Sequence, residues 1–253
     1  MPCNIQKLYF SPVKSISLTN SSNLYVQKNI GIKNDRIFAF TRNISKKKSK
    51  IIEKIPKERN LNYFLTLRNS PFLNKYNFDM IENTLFFKLG NEVIVSINYT
   101  EENNYDILTK ELMKRENQIK DTYLILNTKF PFFDTTPANS ISLININSIR
   151  DFENKINKSI ELSRFRGNIY VDGLEPWEEF NFIGKNIFIN DCQFKVTGAI
   201  PRCSATNLVP NLTEIDINLP HKLRVTYNHI NMGIYLTPLN QGEIKVKDKI
   251  MIE

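Results

Sequence analysis

The sequence predicts an α+β fold that is mainly β, with a β-barrel-like architecture and two or three helices. Many short segments are rich in β-branched and aromatic residues and are separated by polar or proline-containing breaks. Helical periodicity is confined to a few segments, while alternating βαβ units and a glycine-rich phosphate loop are missing from the sequence. These observations disfavour a doubly wound nucleotide-binding fold.

The first part of the chain has the pattern of several strands followed by one helix. Residues 5–42 and the segments LNYFLTLR, TLFFKLG and EVIVSINY have the composition of strands. Residues 43–60 are basic, and we expect a solvated loop or hairpin tip there, with a partner-docking patch or an anion funnel as alternatives. In TEENNYDILTKELMKRE, helical spacing relates Tyr105, Leu108 and Leu112, with acidic residues near the start and basic residues near the end.

The second part of the chain begins with a strand in TYLILNTKF, a proline-containing loop in FDTTPAN and a short strand in SISLI. A helix follows, which Asn145 or Asn147 can cap and which buries a stripe formed by Ile149, Phe152 and Ile156. The remaining segments again have the composition of strands: SRFRGNIYVD, NIFIN, CQFKVTGAI, MGIYLTPL and EIKVKDKIMIE.

The predicted helix that closes the first part suggests a division into residues 1–120 and residues 121–253. No internal repeat or low-complexity linker separates the two halves, so a core shared between them stays open. A length of 253 residues accommodates either one β-rich domain or two interlocked subdomains.

Composition and charge exclude some classes of protein and leave others open. The net charge of +8 is compatible with nucleic acid, a membrane surface or an anionic small ligand. Because the lysines are scattered along most of the chain, nucleic-acid binding is disfavoured. Three cysteines without a C-x-x-C pair argue against a disulfide framework, structural zinc and cysteine-ligated iron–sulfur clusters. Without an apolar run long enough to span a bilayer or a signal peptide, we expect a cytoplasmic protein that does not bind membranes.

One cysteine has neighbours that suggest chemistry. In GAIPRCSATNLVP, Cys203 follows a Pro-Arg pair and precedes a polar run, whereas Cys192 lies in a strand-like segment typical of a buried thiol. The guanidinium of Arg202 would favour the thiolate form, which acts both as a nucleophile and as a metal ligand. A structural thiol remains the alternative at Cys203.

Three further motifs supply positive charge. In SRFRGN, a strand would direct Arg164, Arg166 and Asn168 to one face, where they suit a phosphate or another oxyanion; a solvent-facing strand is the alternative. In SPVKS, Lys14 and Ser15 follow the break at a proline. In NDRIF, Asp35 is placed to pair with or orient Arg36, although cations beside turns are usually only solvated.

In this order, the motifs PVKS, DR, FxDTxP, RFRxN, RC and GIY resemble the MOSC family, which includes the mitochondrial amidoxime reducing component and bacterial relatives. The most specific part is SRFRGNIYVDGLEPWEE followed by PRCSAT. The resemblance implies a MOSC N-terminal β-barrel-like region in residues 1–120. It also implies a MOSC-type β-barrel catalytic domain in residues 121–253.

The resemblance implies a molybdenum–molybdopterin cofactor with Cys203 as the molybdenum ligand and catalytic residue. It assigns the remaining matched positions to cofactor binding: Lys14, Ser15, Arg36, Thr136, Arg164, Arg166, Asn168, Arg202 and Tyr235. A polyanionic cofactor suits this cationic set, and a soft thiolate suits molybdenum. The sequence departs from many relatives at Ile200, where they have an additional cysteine that is not the ligand.

The function that these motifs favour is a molybdenum-dependent oxidoreductase that reduces N-hydroxylated or related oxygenated small molecules. Since no plant-type iron–sulfur segment follows the MOSC part, we expect a separate flavin- or iron–sulfur-based electron donor. A sulfur carrier, a sulfurtransferase or a cofactor carrier with a Cys203 persulfide is the alternative. A basic module that binds nucleic acid through residues 46–59 ranks last, and His221 and His229 are interpreted as structural or rim residues.

Overall fold

The computed structural model describes residues 3–133 and 140–252. Within them the chain forms four α-helices: α1 (Lys46–Lys54), α2 (Tyr105–Arg115), α3 (Ile146–Ile156) and α4 (Leu219–Tyr227). The strands of the first half are β1 (Asn4–Phe10), β2 (Thr19–Ser21), β3 (Asn23–Gln27), β4 (Gly31–Ile32), β5 (Phe38–Phe40), β6 (Tyr76–Ile81), β7 (Thr84–Leu89) and β8 (Glu92–Asn98). The strands of the second half are β9 (Leu124–Leu126), β10 (Ile141–Asn145), β11 (Ile169–Asp172), β12 (Asn186–Ile189), β13 (Cys192–Pro201), β14 (Asn231–Pro238), β15 (Gly242–Lys245) and β16 (Ile250–Ile252).

The largest sheet has eight strands in the order β16-β12-β13-β14-β10-β11-β1-β2 and curls into a half-barrel. Two of its strands come from the first residues of the chain, because β1 pairs with β11 and β2 pairs with β1, both antiparallel. A smaller sheet, β15-β3-β4, likewise joins the two ends of the chain. The predicted mainly β, α+β fold is therefore confirmed.

The main core is shared between the two halves of the sequence. Ile5 and Leu8 of β1 are fully buried in the same cluster as Leu143, Phe194 and other side chains of the C-terminal strands. Burial of a large aliphatic side chain contributes about 1.5–3 kcal/mol. The N-terminal strands are thus an integral part of this sheet, and the division at residue 120 remains a prediction.

A second core lies under the meander of β6, β7 and β8, against α2 and β5. The rings of Phe78 and Phe87 stack there with centroids 4.8 Å apart. Tyr105, Leu108 and Leu112 of α2 are all buried, so the predicted helix and its apolar stripe are confirmed.

The predicted helix after SISLI is also confirmed, and Asn145 is its cap. The side chain of Asn145 accepts a hydrogen bond from the backbone N–H of Asn147 at 3.0 Å, which satisfies one of the free donors at the helix start. Ile149 and Phe152 are fully buried, and Ile156 is half-buried.

The prediction of a loop over residues 43–60 is wrong, because residues 46–54 form α1. The side chain of Ser45 caps the helix by accepting from the backbone N–H of Lys48 at 3.2 Å. Ile52 is fully buried and supplies the apolar contact that the many lysines conceal in the sequence. Tertiary burial thus outweighs the appearance of a solvated basic segment.

Two predicted strands also have a different structure. LNYFLTLR forms a 3₁₀ turn at Leu61–Tyr63, and only Phe64 pairs with a neighbouring segment, through Thr41. In SRFRGNIYVD, Leu162–Phe165 is a 3₁₀ turn, and the strand begins only at Ile169. Strand β6 and helix α4 were not predicted from the sequence.

Candidate functional site

A cavity of about 900 Å³ opens where the turn after β1, the segment before β6, the end of β13 and the middle of β14 meet. None of its described lining residues is acidic, whereas five are cationic. The lining residues that the sequence analysis singled out are Lys14, Ser15, Arg36, Arg166, Asn168, Arg202, Cys203 and Tyr235. An excess of positive charge in a concave site favours an anionic ligand.

Cys203 is exposed at this cavity and begins a 3₁₀ turn, Ser204–Asn207, just after β13 ends. Its backbone carbonyl accepts hydrogen bonds from the backbone N–H and the hydroxyl of Thr206, at 3.1 and 2.9 Å. These bonds fix the backbone of the turn and leave the thiol facing the cavity. The other two cysteines, Cys3 and Cys192, are buried.

Burial also separates the chemistry of the three thiols. It raises the pKa of Cys3 to about 12, with a further contribution from nearby carboxylates. It raises the pKa of Cys192 to about 11, with smaller contributions from Asp191 and Asp248. Since the thiolate is the reactive and metal-binding form, these two cysteines are chemically inert at neutral pH. Cys203 is therefore the thiol of interest.

Arg202 is a buried brace beneath the Cys203 turn. Its Nε donates to the carbonyl of Met232 at 2.9 Å, and its Nη1 donates to the carbonyl of Phe165 at 2.7 Å. Burial lowers its pKa to about 10, a value at which the guanidinium remains charged at neutral pH. It thus joins the turn to two neighbouring segments and adds positive potential to the cavity wall.

Lys14 reaches the cavity from the turn after β1. Its backbone N–H donates to the carbonyl of Phe38 at 2.8 Å, and its Nζ donates to the carbonyl of Phe132 at 3.2 Å. The residue is only 4% exposed, so its ammonium group is held in one region instead of moving freely in solvent. A restrained cation loses less entropy when it binds an anion.

Asp35 ties three segments of the site together. It accepts from the backbone N–H of Ser11 at 2.8 Å and from Nδ2 of Asn168 at 3.1 Å, and it pairs with the guanidinium of Arg36. The carboxylate is 1% exposed and lies outside the cavity lining. The predicted pairing of Asp35 with Arg36 is confirmed, and Asp35 emerges as a hub behind the cavity.

Asn168 lines the cavity but uses both ends of its amide within the protein. Its Oδ1 accepts from the backbone N–H and the hydroxyl of Ser142, at 3.1 and 2.8 Å. Its Nδ2 donates to the carbonyl of Tyr9 as well as to Asp35. It therefore acts on the site mainly by joining β1, β10 and β11.

The prediction that Arg164, Arg166 and Asn168 share one face of a strand is wrong, because the chain turns at these residues. Arg166 is left-handed, with φ of 51°, and its guanidinium lines the large cavity while donating to the carbonyl of Ile16 at 2.7 Å. Arg164 lines only a smaller cavity of about 80 Å³, which Arg166 lines as well. Of the two arginines, Arg166 alone therefore reaches the large cavity.

Arg164 belongs to a structural ion-pair network. It pairs with Glu161 at 2.8 Å and with Asp216 at 2.7 Å. Burial opposes its positive charge, but the bonds to the two carboxylates outweigh this effect and raise its pKa. The bond from Arg164 in turn lowers the pKa of Asp216 to about 2. Its guanidinium is thus committed to acidic partners away from the large cavity.

The remaining candidate residues are distributed as follows. Tyr235 lies in β14, opposite Ser142 and Gly198, and lines the cavity. Thr136 lies outside the described residues. His221 and His229 do not line the cavity: His221 is in α4, and His229 packs among aromatic rings, where burial lowers its pKa.

One wall of the cavity was not predicted from the sequence. It consists of residues between α1 and β6 together with two phenylalanines: Asn60, Leu61, Asn62, Thr66, Arg68, Asn69, Phe132 and Phe133. The polar residues in NLN and TLRN are a signal against an ordinary strand and mark this wall. Phe132 and Phe133 make part of it apolar, which suits an organic ligand.

Comparison with known proteins finds one matching family. Residues 133–251 match the MOSC domain family. The matched segment supplies the cavity residues from Ser140 to Tyr235, and the part of the chain that precedes it supplies Lys14, Ser15 and Arg36.

One curated relative is mitochondrial amidoxime reducing component 2 of Rattus norvegicus, which is 25% identical over 154 residues. That match covers 56% of this chain and 42% of the relative, so the chain spans less than half the length of the protein that it matches. Two solved structures were also found. The YuaD protein from Bacillus subtilis is 13% identical with a TM-score of 0.47, covering 99% of this chain and 94% of that one. YiiM from Geobacillus stearothermophilus is 17% identical with a TM-score of 0.36, covering 45% and 53%.

No described helix has both the length and the apolar character needed to cross a membrane.

Proposed function

We propose that the protein is an oxidoreductase that binds molybdenum–molybdopterin and reduces N-hydroxylated or related oxygenated small molecules. The observation that carries the proposal is the meeting of an exposed thiol, Cys203, with a cavity whose charged described lining residues are all cationic. The match to the MOSC family and the name of the rat relative, an amidoxime reducing component, support this reaction class.

The donor set fits a metal complex that brings most of its own ligands. Among the described residues, no group of three or more His, Cys, Asp or Glu side chains could hold a metal ion. A single thiolate at Cys203 suffices if a dithiolene supplies further sulfur ligands, and soft sulfur ligands suit such a metal. The cavity volume of about 900 Å³ provides room for an organic cofactor.

The side chains around the thiol would each bind a different part of the cofactor. Lys14, Arg36 and Arg166 line the cavity and would neutralise the phosphate and the other negative charges of the cofactor. Cys203 would lose its proton on binding the metal, since the thiolate is the ligand form. When bound, the cofactor supplies two-electron redox chemistry at a metal that keeps a position open for substrate.

Metal and pterin analysis would test the proposal directly. The full chain is purified from a host that makes the molybdenum cofactor, together with Cys203→Ala and, as a matched control, Ser204→Ala at the exposed neighbouring position. We expect molybdenum and releasable pterin in the wild type and the control, and a loss of metal or a changed electronic spectrum in Cys203→Ala. Wild-type protein that carries neither metal nor pterin would refute the proposal.

A reduction assay would test the reaction class. Chemically reduced wild-type protein should convert an aromatic amidoxime to the amidine, whereas Cys203→Ala should be inactive. We also propose a separate electron-donor protein, either flavin- or iron–sulfur-based.

A second candidate function is sulfur or cofactor transfer through a persulfide on Cys203. The exposure of this thiol beside cations favours it, since such a thiol can accept and pass on sulfur. The two functions are distinguished by the intact mass of the protein and by its turnover of the amidoxime. A stable gain of one sulfur atom at Cys203, without reduction of the amidoxime, would favour the carrier.

A further inference from the structure

Arg59, in the segment after α1, holds two parts of the chain together. Its Nε and Nη2 donate to the carbonyls of Ile52 and Glu53 at the end of α1, at 2.9 and 3.2 Å. Its Nη1 donates to the carbonyls of Phe130 and Pro131, at 2.7 and 3.1 Å. The planar guanidinium thus spans four backbone acceptors from two segments, a task that suits arginine and not lysine.

The charge of Arg59 has no direct acidic partner among the described residues. Its contacts are backbone carbonyls and one aromatic ring, that of Phe132, whose centroid lies 4.1 Å from the guanidinium carbon. Burial lowers the pKa of Arg59 to about 10, and the charge of Glu53 opposes this effect only in part. Arg59 is half-buried, and its guanidinium is met by carbonyl dipoles and a ring face in place of a carboxylate, so this arrangement differs from a surface ion pair.

Phe132 connects Arg59 to the cationic cavity. Its ring lines the cavity and is 2% exposed. Its backbone N–H donates to the carbonyl of Arg36 at 2.8 Å, and its own carbonyl accepts from Nζ of Lys14 at 3.2 Å. A displacement of Phe132 would therefore disturb two of the cations that face the cavity.

We propose that Arg59 is a positioning residue: by clamping the segment 130–132 to α1, it sets the place of Phe132 and thereby of Lys14 and Arg36. This inference rests on the proposed function only for the statement that the cavity binds a phosphate-bearing polyanion. The clamp itself follows from the hydrogen bonds and the ring contact. Arg59 need not touch the ligand, because Phe132 lies between its guanidinium and the cavity.

The test uses three variants of the full chain: Arg59→Met, Arg59→Lys and Lys57→Met. Lys57 is exposed, lies two residues before Arg59 and matches the loss of one positive charge without a contact to Phe132. Arg59→Lys keeps the charge but cannot reach four carbonyls with a planar fork. Circular dichroism at the assay temperature verifies that each variant is folded.

Amide hydrogen exchange measures the clamp without any ligand. In Arg59→Met and in Arg59→Lys, protection of the Phe132 amide should fall by about tenfold or more, because that segment opens more often. Lys57→Met should leave it within about twofold of the wild type. Unchanged protection in both Arg59 variants would overturn the proposal.

The effect of Arg59 on the cavity is measured by the affinity for inorganic pyrophosphate. The protein for this measurement is made in a host that lacks the cofactor. We expect Arg59→Met to weaken binding by about tenfold and Arg59→Lys by a similar factor, with little change in Lys57→Met. Full affinity in Arg59→Lys would show that charge and not position matters, and would overturn the proposal. If wild-type protein binds no pyrophosphate, that result counts against the proposed function, while the exchange measurement still decides the clamp.

Discussion

Replacement of Asp35 by asparagine tests the hub behind the cavity. The carboxylate is 1% exposed and accepts from three groups on Ser11, Asn168 and Arg36. An asparagine of the same shape keeps one acceptor oxygen but presents an NH₂ group in place of the other. Since all three partners are donors, that NH₂ group would meet a donor and could not form a hydrogen bond.

The magnitude of the effect follows from these contacts. A hydrogen bond to a charged group contributes about 1.5–3 kcal/mol, and breaking a buried ion pair costs about 3–5 kcal/mol. The Arg36 side chain is 14% exposed and can recover some hydration, so the pair contributes less than a fully buried one. We expect Asp35→Asn to lower the free energy of unfolding by about 3 kcal/mol.

Urea unfolding at neutral pH measures this change. With a urea dependence of about 3 kcal/mol per molar, the midpoint should fall by about 1 M. Asp191→Asn, in the exposed turn before β13, is the matched control and should leave the midpoint unchanged. Pyrophosphate affinity should also fall in Asp35→Asn, because Arg36 loses the group that orients it. A loss of stability below about 1 kcal/mol would contradict the role of Asp35 as a hub.

Three further predictions test other parts of the structure. In the folded protein an alkylating reagent should modify one thiol, Cys203, and mass spectrometry showing rapid modification of either buried cysteine would contradict the assigned burial. The bond from Arg164 lowers the pKa of Asp216 from 3.8 to about 2. The contribution of ionised Asp216 to the free energy of unfolding is therefore present above pH 3.8 and is lost as the pH falls towards 2. In acid-unfolding measurements, Asp216→Asn should flatten this part of the curve of stability against pH. Gly233→Ala should prevent folding into soluble protein, because a Cβ would lie 2.4 Å from the carbonyl oxygen of Leu143 at a backbone φ of +79°, and a normally soluble variant would refute the close approach.

The sequence predicted the fold class and most strands because their apolar alternation is local. It failed at α1, because seven of the nine helical residues in KKKSKIIEK are charged or polar and only Ile51 and Ile52 are apolar. The stability of that helix comes from Ile52, which is buried against residues distant in sequence such as Ile125. A local pattern carries no information about such a contact.

The candidate site could also be predicted only in part from local sequence patterns. Residue identity was enough to single out Cys203 and Lys14, since a thiol beside an arginine and a lysine after a proline-containing turn are visible in the sequence. The separation of Arg164 from Arg166 was not visible, because it depends on a 3₁₀ turn and a left-handed residue. Asp216, which binds Arg164, is 52 residues away in the chain, and no local pattern reveals that pairing.

Three residues that line the cavity have a left-handed backbone. Ser15, Arg36 and Arg166 all line it, and all are left-handed, with φ of 64°, 54° and 51°. This conformation costs a residue with a Cβ about 1–2 kcal/mol, whereas glycine adopts it readily. Stability alone would therefore favour glycine at these three turns. Eleven other described non-glycine residues share this conformation without lining the cavity, and seven of them are asparagine, which tolerates it. A positive φ therefore does not locate the site by itself, and the location rests on the exposed thiol and the excess of cations.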